Sequence, residues 1–143
     1  MPNADEHRWR RIQREELRAC ERSPDLHHQI RRSVEGKVSL ETAEALLEKA
    51  LAASPSVPAI VDASRCALRS LDGKLASVER DRVEQIQKLV LDHHVGPSVL
   101  KAEIYRLARH HQAQDLLDST WFDELFERSE TRRLTDSDGA INV

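Results

Sequence analysis

The chain has 143 residues, enough for one domain with a buried core that needs no disulfides to fold. Its formal net charge of −3 argues against a strongly basic nucleic-acid-binding module, and its aromatic content of 3% argues against single-strand binding by base stacking. No apolar run reaches the ~18–20 residues of a membrane span, and no signal peptide is visible, so we expect a cytoplasmic protein.

Glycine and proline mark the ends of the predicted helices. Gly36, Gly73 and Gly96 each follow a segment with helical periodicity, whereas Pro24 and Pro97 begin the next segments. No segment alternates apolar and polar residues as a strand would. The sequence therefore predicts an all-α fold, a single compact bundle of about six to seven helices.

The predicted helices follow one another along residues 1–127. They run from about Asp5 to Arg22, from Pro24 to Gly36, from a Ser39 cap through Leu51, from Pro58 to Leu71, from a Ser77 cap through Val90, from Pro97 to about Gln112, and from near Ser119 onward. Residues 128–143 are nearly devoid of apolar side chains before Ile141, which predicts a disordered C-terminal tail.

Common catalytic signatures are missing from the sequence. It has no glycine-rich phosphate loop, no nucleophile elbow, and neither of the short His-Glu or Cys-Cys metal motifs. The cysteines, Cys20 and Cys66, lie 46 positions apart inside helical patterns, which is typical of two small buried hydrophobic residues rather than a disulfide framework or a zinc knuckle. We therefore predict no catalytic residue and no cofactor.

Six of the seven histidines occur as neighbouring pairs. The pairs are His27-His28, His93-His94 and His110-His111. Adjacent residues on a helix point about 100° apart, so one member of each pair at most can face a common site. Because a metal site needs three or four convergent ligands, we expect no metal here and predict solvent-facing or helix-terminal histidines instead.

The predicted sixth helix is rich in basic side chains. It carries Lys101, Arg106, Arg109, His110 and His111. One interpretation is a strip that binds an anionic small molecule. The other is a solvated helix face neutralised by the acidic residues that follow it in the chain.

The densest apolar patch follows this helix. It consists of Trp121, Phe122, Leu125 and Phe126. Large aromatic side chains dominate core energetics, which favours a lid folded back on the core. Alternatively, the patch is an exposed anchor for a protein partner or for the second copy of a homodimer, since aromatic residues are enriched at interfaces.

Several short motifs occur in order along most of the chain: Trp9, Ser23-Pro24-Asp25, Gly36-Lys37-Val38-Ser39-Leu40, Leu71-Asp72-Gly73-Lys74-Leu75, Pro97 and Arg106. Together they resemble the bacterial YbgA-like family, an all-helical domain found alone or fused to a cysteine-rich desulfidase-like domain. Family histidines fall near Cys66 and at Leu107, so most of the family's polar residues are replaced. The resemblance implies an all-helical fold and supplies no reaction.

Three functions remain open at this point. The preferred hypothesis is a small helical accessory module that acts through a protein partner or as a homodimer, because amphipathic helices and an aromatic patch occur without a catalytic constellation. The second is a protein or enzyme that binds an anionic small molecule along the basic sixth helix. The third is an accessory protein of nucleic-acid metabolism, although the net charge disfavours direct nucleic-acid binding.

Overall fold

The computed structural model describes residues 4–36 and 39–126, and within these ranges the fold is all-α, with no strand. The helices are α1 (Ala4–Cys20), α2 (Pro24–Gly36), α3 (Leu40–Leu51), α4 (Val57–Arg69), α5 (Ser77–Leu91), α6 (Pro97–His110) and the short α7 (Gln114–Leu117), followed by a 3₁₀ turn at Thr120–Phe122. The predicted fold class is confirmed. The tail predicted for residues 128–143 lies outside the described residues.

Serine side chains cap the starts of three helices. The hydroxyl oxygens of Ser23, Ser39 and Ser56 accept hydrogen bonds from the backbone N–H groups three residues further on, at 3.2 Å in each case. Each bond satisfies one N–H group that the helix itself leaves without a partner. Helix α4 accordingly begins at Val57, one residue before the predicted start.

Several predicted helix limits are wrong. Helices α1 and α4 end at Cys20 and Arg69, two residues before the predicted Arg22 and Leu71. Helix α5 is preceded by Ala76 rather than capped by Ser77, and the Glu79 carboxylate accepts a hydrogen bond from Ala76 N–H at 2.9 Å. The Glu79 carboxylate therefore caps the start of α5, a role that was predicted for the Ser77 hydroxyl. Helix α6 ends at His110 because Gln112 adopts a left-handed backbone with φ of 54°, which an α-helix cannot continue.

The core has two parts that share α1. Helices α1, α2 and α3 enclose one cluster, which contains Ile12, Ile30 and Leu47. Helices α4, α5 and α6 enclose the other, together with the C-terminal segment and the last turn of α1. The predicted inward face of α6 is confirmed, since Leu100, Ile104, Leu107 and Ala108 are all fully buried. Helix α1 therefore joins the two halves of the bundle.

The segment after α6 returns to α1 and is held there by hydrogen bonds. The hydroxyl groups of Ser119 and Thr120 donate to the carbonyl oxygen of Arg14 at 3.3 and 3.1 Å. Arg14 Nε in turn donates to the carbonyl oxygen of Asp118 at 3.1 Å. These bonds hold residues 118–120, which follow α7, against α1. This segment lines one side of a cleft. Among the described helices, none combines the length and apolar character needed to cross a bilayer.

Candidate functional site

An open cleft of about 670 Å³ lies between α1, α2, α4 and the α7 segment. Its lining is mostly polar and carries both signs of charge. The residues are Arg10, Gln13, Arg14, Glu16, Leu17, Arg31, Cys66, Ala67, Ser70, Asp115, Leu116, Asp118 and Ser119. This volume is in the range of small-molecule sites, although the lining is more polar than is usual for such sites.

A thiol–imidazole cluster lies beside this cleft, and Cys66 belongs to both. Cys20, His27 and Cys66 each offer one ligand atom, and these three atoms lie within 4.8 Å of one another. Cys20 is 2% exposed and His27 is 5% exposed, whereas Cys66 is half-buried and lines the cleft. We call these three residues the Cys₂His cluster.

Helix packing explains why residues so far apart in sequence meet. Cys20 is the last residue of α1, and the chain reverses at Ser23 and Pro24 so that His27 lies in the first turns of α2. Helix α4 packs against both α1 and α2, which brings Cys66 to the same place. The cluster is therefore a product of a three-helix junction.

Burial keeps the His27 ring neutral. The pKa of His27 is lowered to about 4, chiefly because burial disfavours the charged imidazolium and secondly because Arg31 lies nearby. Its Nε2 is buried and has no hydrogen-bond partner among the described residues. A buried polar atom without a partner costs free energy, and a neutral imidazole nitrogen is also the form that binds metal ions.

The pKa values of the two thiols are shifted in opposite directions. The pKa of Cys66 is lowered, first by a hydrogen bond with Cys20 and then by the guanidinium groups of Arg69 and Arg31, against the effect of burial. The pKa of Cys20 is raised by the same hydrogen bond and by burial. The hydrogen bond and the nearby guanidinium groups thus favour the thiolate form of Cys66, whereas burial disfavours that form at Cys20.

This donor set suits a soft or borderline metal ion. Thiolate sulfur and imidazole nitrogen are the ligands that zinc takes in proteins, and catalytic zinc sites have three protein ligands with a further position for water or substrate. Two cysteines and one histidine make up one such set. Without a metal, His27 Nε2 is a buried polar atom that has no partner among the described residues.

The predicted basic strip on α6 is not one site. Lys101 is 4% exposed, and its Nζ contacts the carboxylates of Glu21 at 2.9 Å and Glu124 at 3.2 Å. It also lies 5.3 Å from the centre of the Trp121 ring. Lys101 is thus neutralised inside the protein by the carboxylate of Glu21, which directly follows α1. This contact cannot be predicted from the sequence of α6 alone.

The other basic residues of α6 also contact separate groups. Arg106 pairs with Glu103 at 2.7 Å, and the guanidinium carbon of Arg109 lies 5.9 Å from the centre of the Tyr105 ring. His111 Nε2 lies 3.0 Å from a Glu79 carboxylate oxygen. His110 is exposed, and its ring packs edge-to-face on that of His111 at a centroid distance of 4.8 Å.

His110, His111 and Glu79 form a second group of donor atoms within 4.8 Å of one another. This group is more exposed than the Cys₂His cluster, and Glu79 already accepts a hydrogen bond from the start of α5. Partial exposure lets water solvate these donors, so they lack the cost that an unpartnered buried nitrogen carries. The group therefore needs no ion to account for it.

The predicted aromatic patch is divided between core and surface. Trp121 and Phe122 are buried, as the lid alternative expects, and Trp121 Nε1 donates to Glu21 Oε2 at 2.8 Å. Leu125 is half-buried, while Phe126 is 48% exposed and packs edge-on against Tyr105. Of these four residues, Phe126 alone presents a large apolar surface to a partner.

The Cys₂His cluster was not predicted from the sequence, because its three residues lie on three different helices. The expectation of no metal site rested on the histidine pairs and took the cysteines as independent hydrophobic residues. One signal was present: His27 precedes Ile30 by three residues, which places it on the inward face of α2. The prediction that both cysteines are buried is wrong for Cys66, which is half-buried because it lines the cleft.

Scans of protein-family models, of curated proteins and of solved structures find nothing that matches this chain. The similarity to the YbgA-like family therefore stays a prediction.

Proposed function

We propose that this protein is a metal-binding protein that takes zinc through Cys20, His27 and Cys66. The observation that supports this most strongly is the convergence of three donor atoms within 4.8 Å, in a cluster that includes a buried imidazole nitrogen without a partner. A metal ion would satisfy His27 Nε2 or fix the ring through its other nitrogen, and it would take both sulfurs as thiolates.

A purely structural role for the cluster explains fewer of these features. Buried cysteines pack well as small hydrophobic residues, so the two thiols alone call for no ligand. A buried histidine with a purely structural role normally has a hydrogen-bond partner, however, and His27 Nε2 has none among the described residues. Because Cys66 also lines a cleft, an ion would have a path from solvent.

Zinc titration of the full chain tests the proposal. We expect one zinc ion per chain with a Kd of about 1 μM or tighter, which corresponds to at least about 8 kcal/mol of binding free energy. Cobalt in place of zinc should give a sulfur-to-metal charge-transfer band. We expect Cys66→Ser and His27→Asn to weaken binding by at least roughly 100-fold, because each removes a ligand rather than an outer-shell group.

His28→Asn is the matched control. His28 is adjacent to His27 but exposed, and it is not part of the donor group. It should bind zinc as the unmodified chain does. Zinc binding that is unchanged in a folded Cys66→Ser variant, or a complete absence of binding by the unmodified chain in reducing buffer, would contradict the proposal. Circular dichroism separates loss of the site from loss of the fold.

The accessory-module hypothesis stays a prediction beside this proposal. Phe126 and the exposed Val78 and Val99 offer apolar surface. A zinc-binding module that also contacts a partner would satisfy both ideas.

A further inference from the structure

The Cys₂His cluster supplies three ligands, and its surroundings decide where a fourth would come from. No other Cys, His, Asp or Glu of the described residues belongs to this donor group. Cys20 and His27 are buried, so the protein surrounds that side of the cluster, whereas Cys66 borders the cleft. A tetrahedral ion held by these three residues would therefore direct its remaining position towards the cleft.

The charges favour an anion in that position. Zinc with two thiolates and a neutral imidazole carries no net charge, so the metal site itself would not repel a negatively charged ligand. Arg31 lines the same cleft, four residues after His27 on α2, and its guanidinium group acts on both Cys66 and His27. By contrast, Arg10 lies ten residues before Cys20 on α1, about 15 Å away along the helix axis.

The acidic residues of the cleft partly cancel this effect. Glu16 pairs with Arg31 at 3.7 Å, and the Asp118 carboxylate accepts a hydrogen bond from Gln114 at 2.9 Å. Asp115 is exposed, where water screens its charge. The lining thus contains three arginines and three carboxylates, so its net charge does not repel an anion.

We infer that the metal bound by Cys20, His27 and Cys66 keeps an exchangeable position open to the cleft, and that a small anion binds it there with the help of Arg31. This inference rests on the proposed metal binding. It assigns the site to the class of zinc centres that exchange a ligand, rather than to closed structural sites in which the protein supplies all four ligands.

Anion titration of the cobalt-loaded full chain tests the inference. Sodium azide and sodium acetate are the probes, and the visible ligand-field spectrum of the cobalt ion is the readout. We expect a saturable spectral change at constant cobalt content. Arg31→Ala should weaken azide binding by about threefold, the loss of one partly exposed charge interaction, while cobalt stays bound. Arg32→Ala, at the next residue of α2 but outside the cleft lining, is the matched control and should change nothing.

Each contrary result has a distinct meaning. Bound cobalt whose spectrum ignores both anions would show a closed site and overturn the inference while the proposed metal binding stands. A spectral change accompanied by loss of cobalt on desalting would show that the anion strips the metal, which also overturns it. An azide response that is equal in Arg31→Ala and Arg32→Ala would remove Arg31 from the site. Failure to bind cobalt or zinc at all would instead refute the proposed function.

Discussion

Cys20, the last residue of α1, and Glu21, which follows it, belong to two polar clusters of opposite character. Glu21 enters a network in which Lys101 and Trp121 Nε1 contact its carboxylate at 2.9 and 2.8 Å. Cys20 enters the Cys₂His cluster, where the buried Nε2 of His27 has no partner among the described residues. Both clusters lie beside the core, but the groups of the Glu21 network are paired with one another.

The comparison teaches how to separate a structural polar cluster from a binding site. A buried polar group that is paired offsets its own desolvation, so it needs no ligand. A group left unpaired carries a cost that a ligand can remove. Arg22 also has buried guanidinium nitrogens without a hydrogen-bond partner among the described residues, although its Nη1 lies 4.0 Å from the Glu21 carboxylate. No convergent donor atoms accompany them, so the convergence of donors distinguishes the Cys₂His cluster.

The largest expected effect is on stability, in the Glu21 network. Glu21→Ala leaves the Lys101 ammonium and the Trp121 N–H buried without their main acceptor, and we expect the free energy of unfolding to fall by about 3–5 kcal/mol. Urea unfolding measures this. If Glu21→Ala does not fold, the double variant Glu21→Leu with Lys101→Met keeps the test available, because removing both charges should recover much of the loss. A change below about 1 kcal/mol would be typical of a surface pair and would contradict the assignment.

Replacing His27 should raise the free energy of unfolding, whereas replacing Glu21 should lower it. In metal-free buffer, His27→Leu replaces an unpartnered buried imidazole, and we expect the free energy of unfolding to rise by about 1 kcal/mol. The same variant should lose the stabilisation by zinc, which in the unmodified chain is about 4 kcal/mol at a free zinc concentration 1,000 times Kd. Urea unfolding with chelator and with zinc gives both numbers. Strong destabilisation of the metal-free variant would show that His27 has a structural role like that of Glu21.

The smallest effect concerns Glu79, whose surroundings are more exposed than either cluster. Its pKa lies below the ordinary value of 4.5, first because Ala76 N–H donates to the carboxylate and then because His111 contacts it. A lowered folded-state pKa means that the stabilisation is complete above pH 4.5 and is lost as pH falls through the folded-state value. The urea midpoint of the unmodified chain should therefore exceed that of Glu79→Gln near pH 6 and approach it near pH 3.

Glu84→Gln serves as the control for this pH series, since Glu84 is exposed on the same helix. Its urea midpoint should follow that of the unmodified chain across the range. A Glu79→Gln profile parallel to both would show that the carboxylate adds no pH-dependent stability.

Much of the fold could be predicted from the sequence, because helix signals are local. The caps at Ser23 and Ser39, the stop at Gly36 and the inward face of α6 all depend on residues within a turn or two of each other. The errors at Ala76 and Gln112 arose where a side chain three residues away, or a left-handed residue, set the helix end.

The site could not be predicted in this way. Helical periodicity tells which side chains point inward, but it does not tell which helices are neighbours. The sequence predicted Lys101 as part of a basic strip, but in the structure it contacts Glu21, which directly follows α1. It predicted Cys66 as a small hydrophobic residue, but the structure places Cys66 beside Cys20 and His27.

The amino-acid sequence by itself therefore determined the all-α class, most helix limits and the inward faces, because hydrogen bonding and amphipathic spacing act over a few residues. Only the tertiary structure decided which buried polar groups are paired and which converge without a partner. That outcome depends on the packing of α4 against α1 and α2, which brings together side chains up to 46 positions apart in the chain.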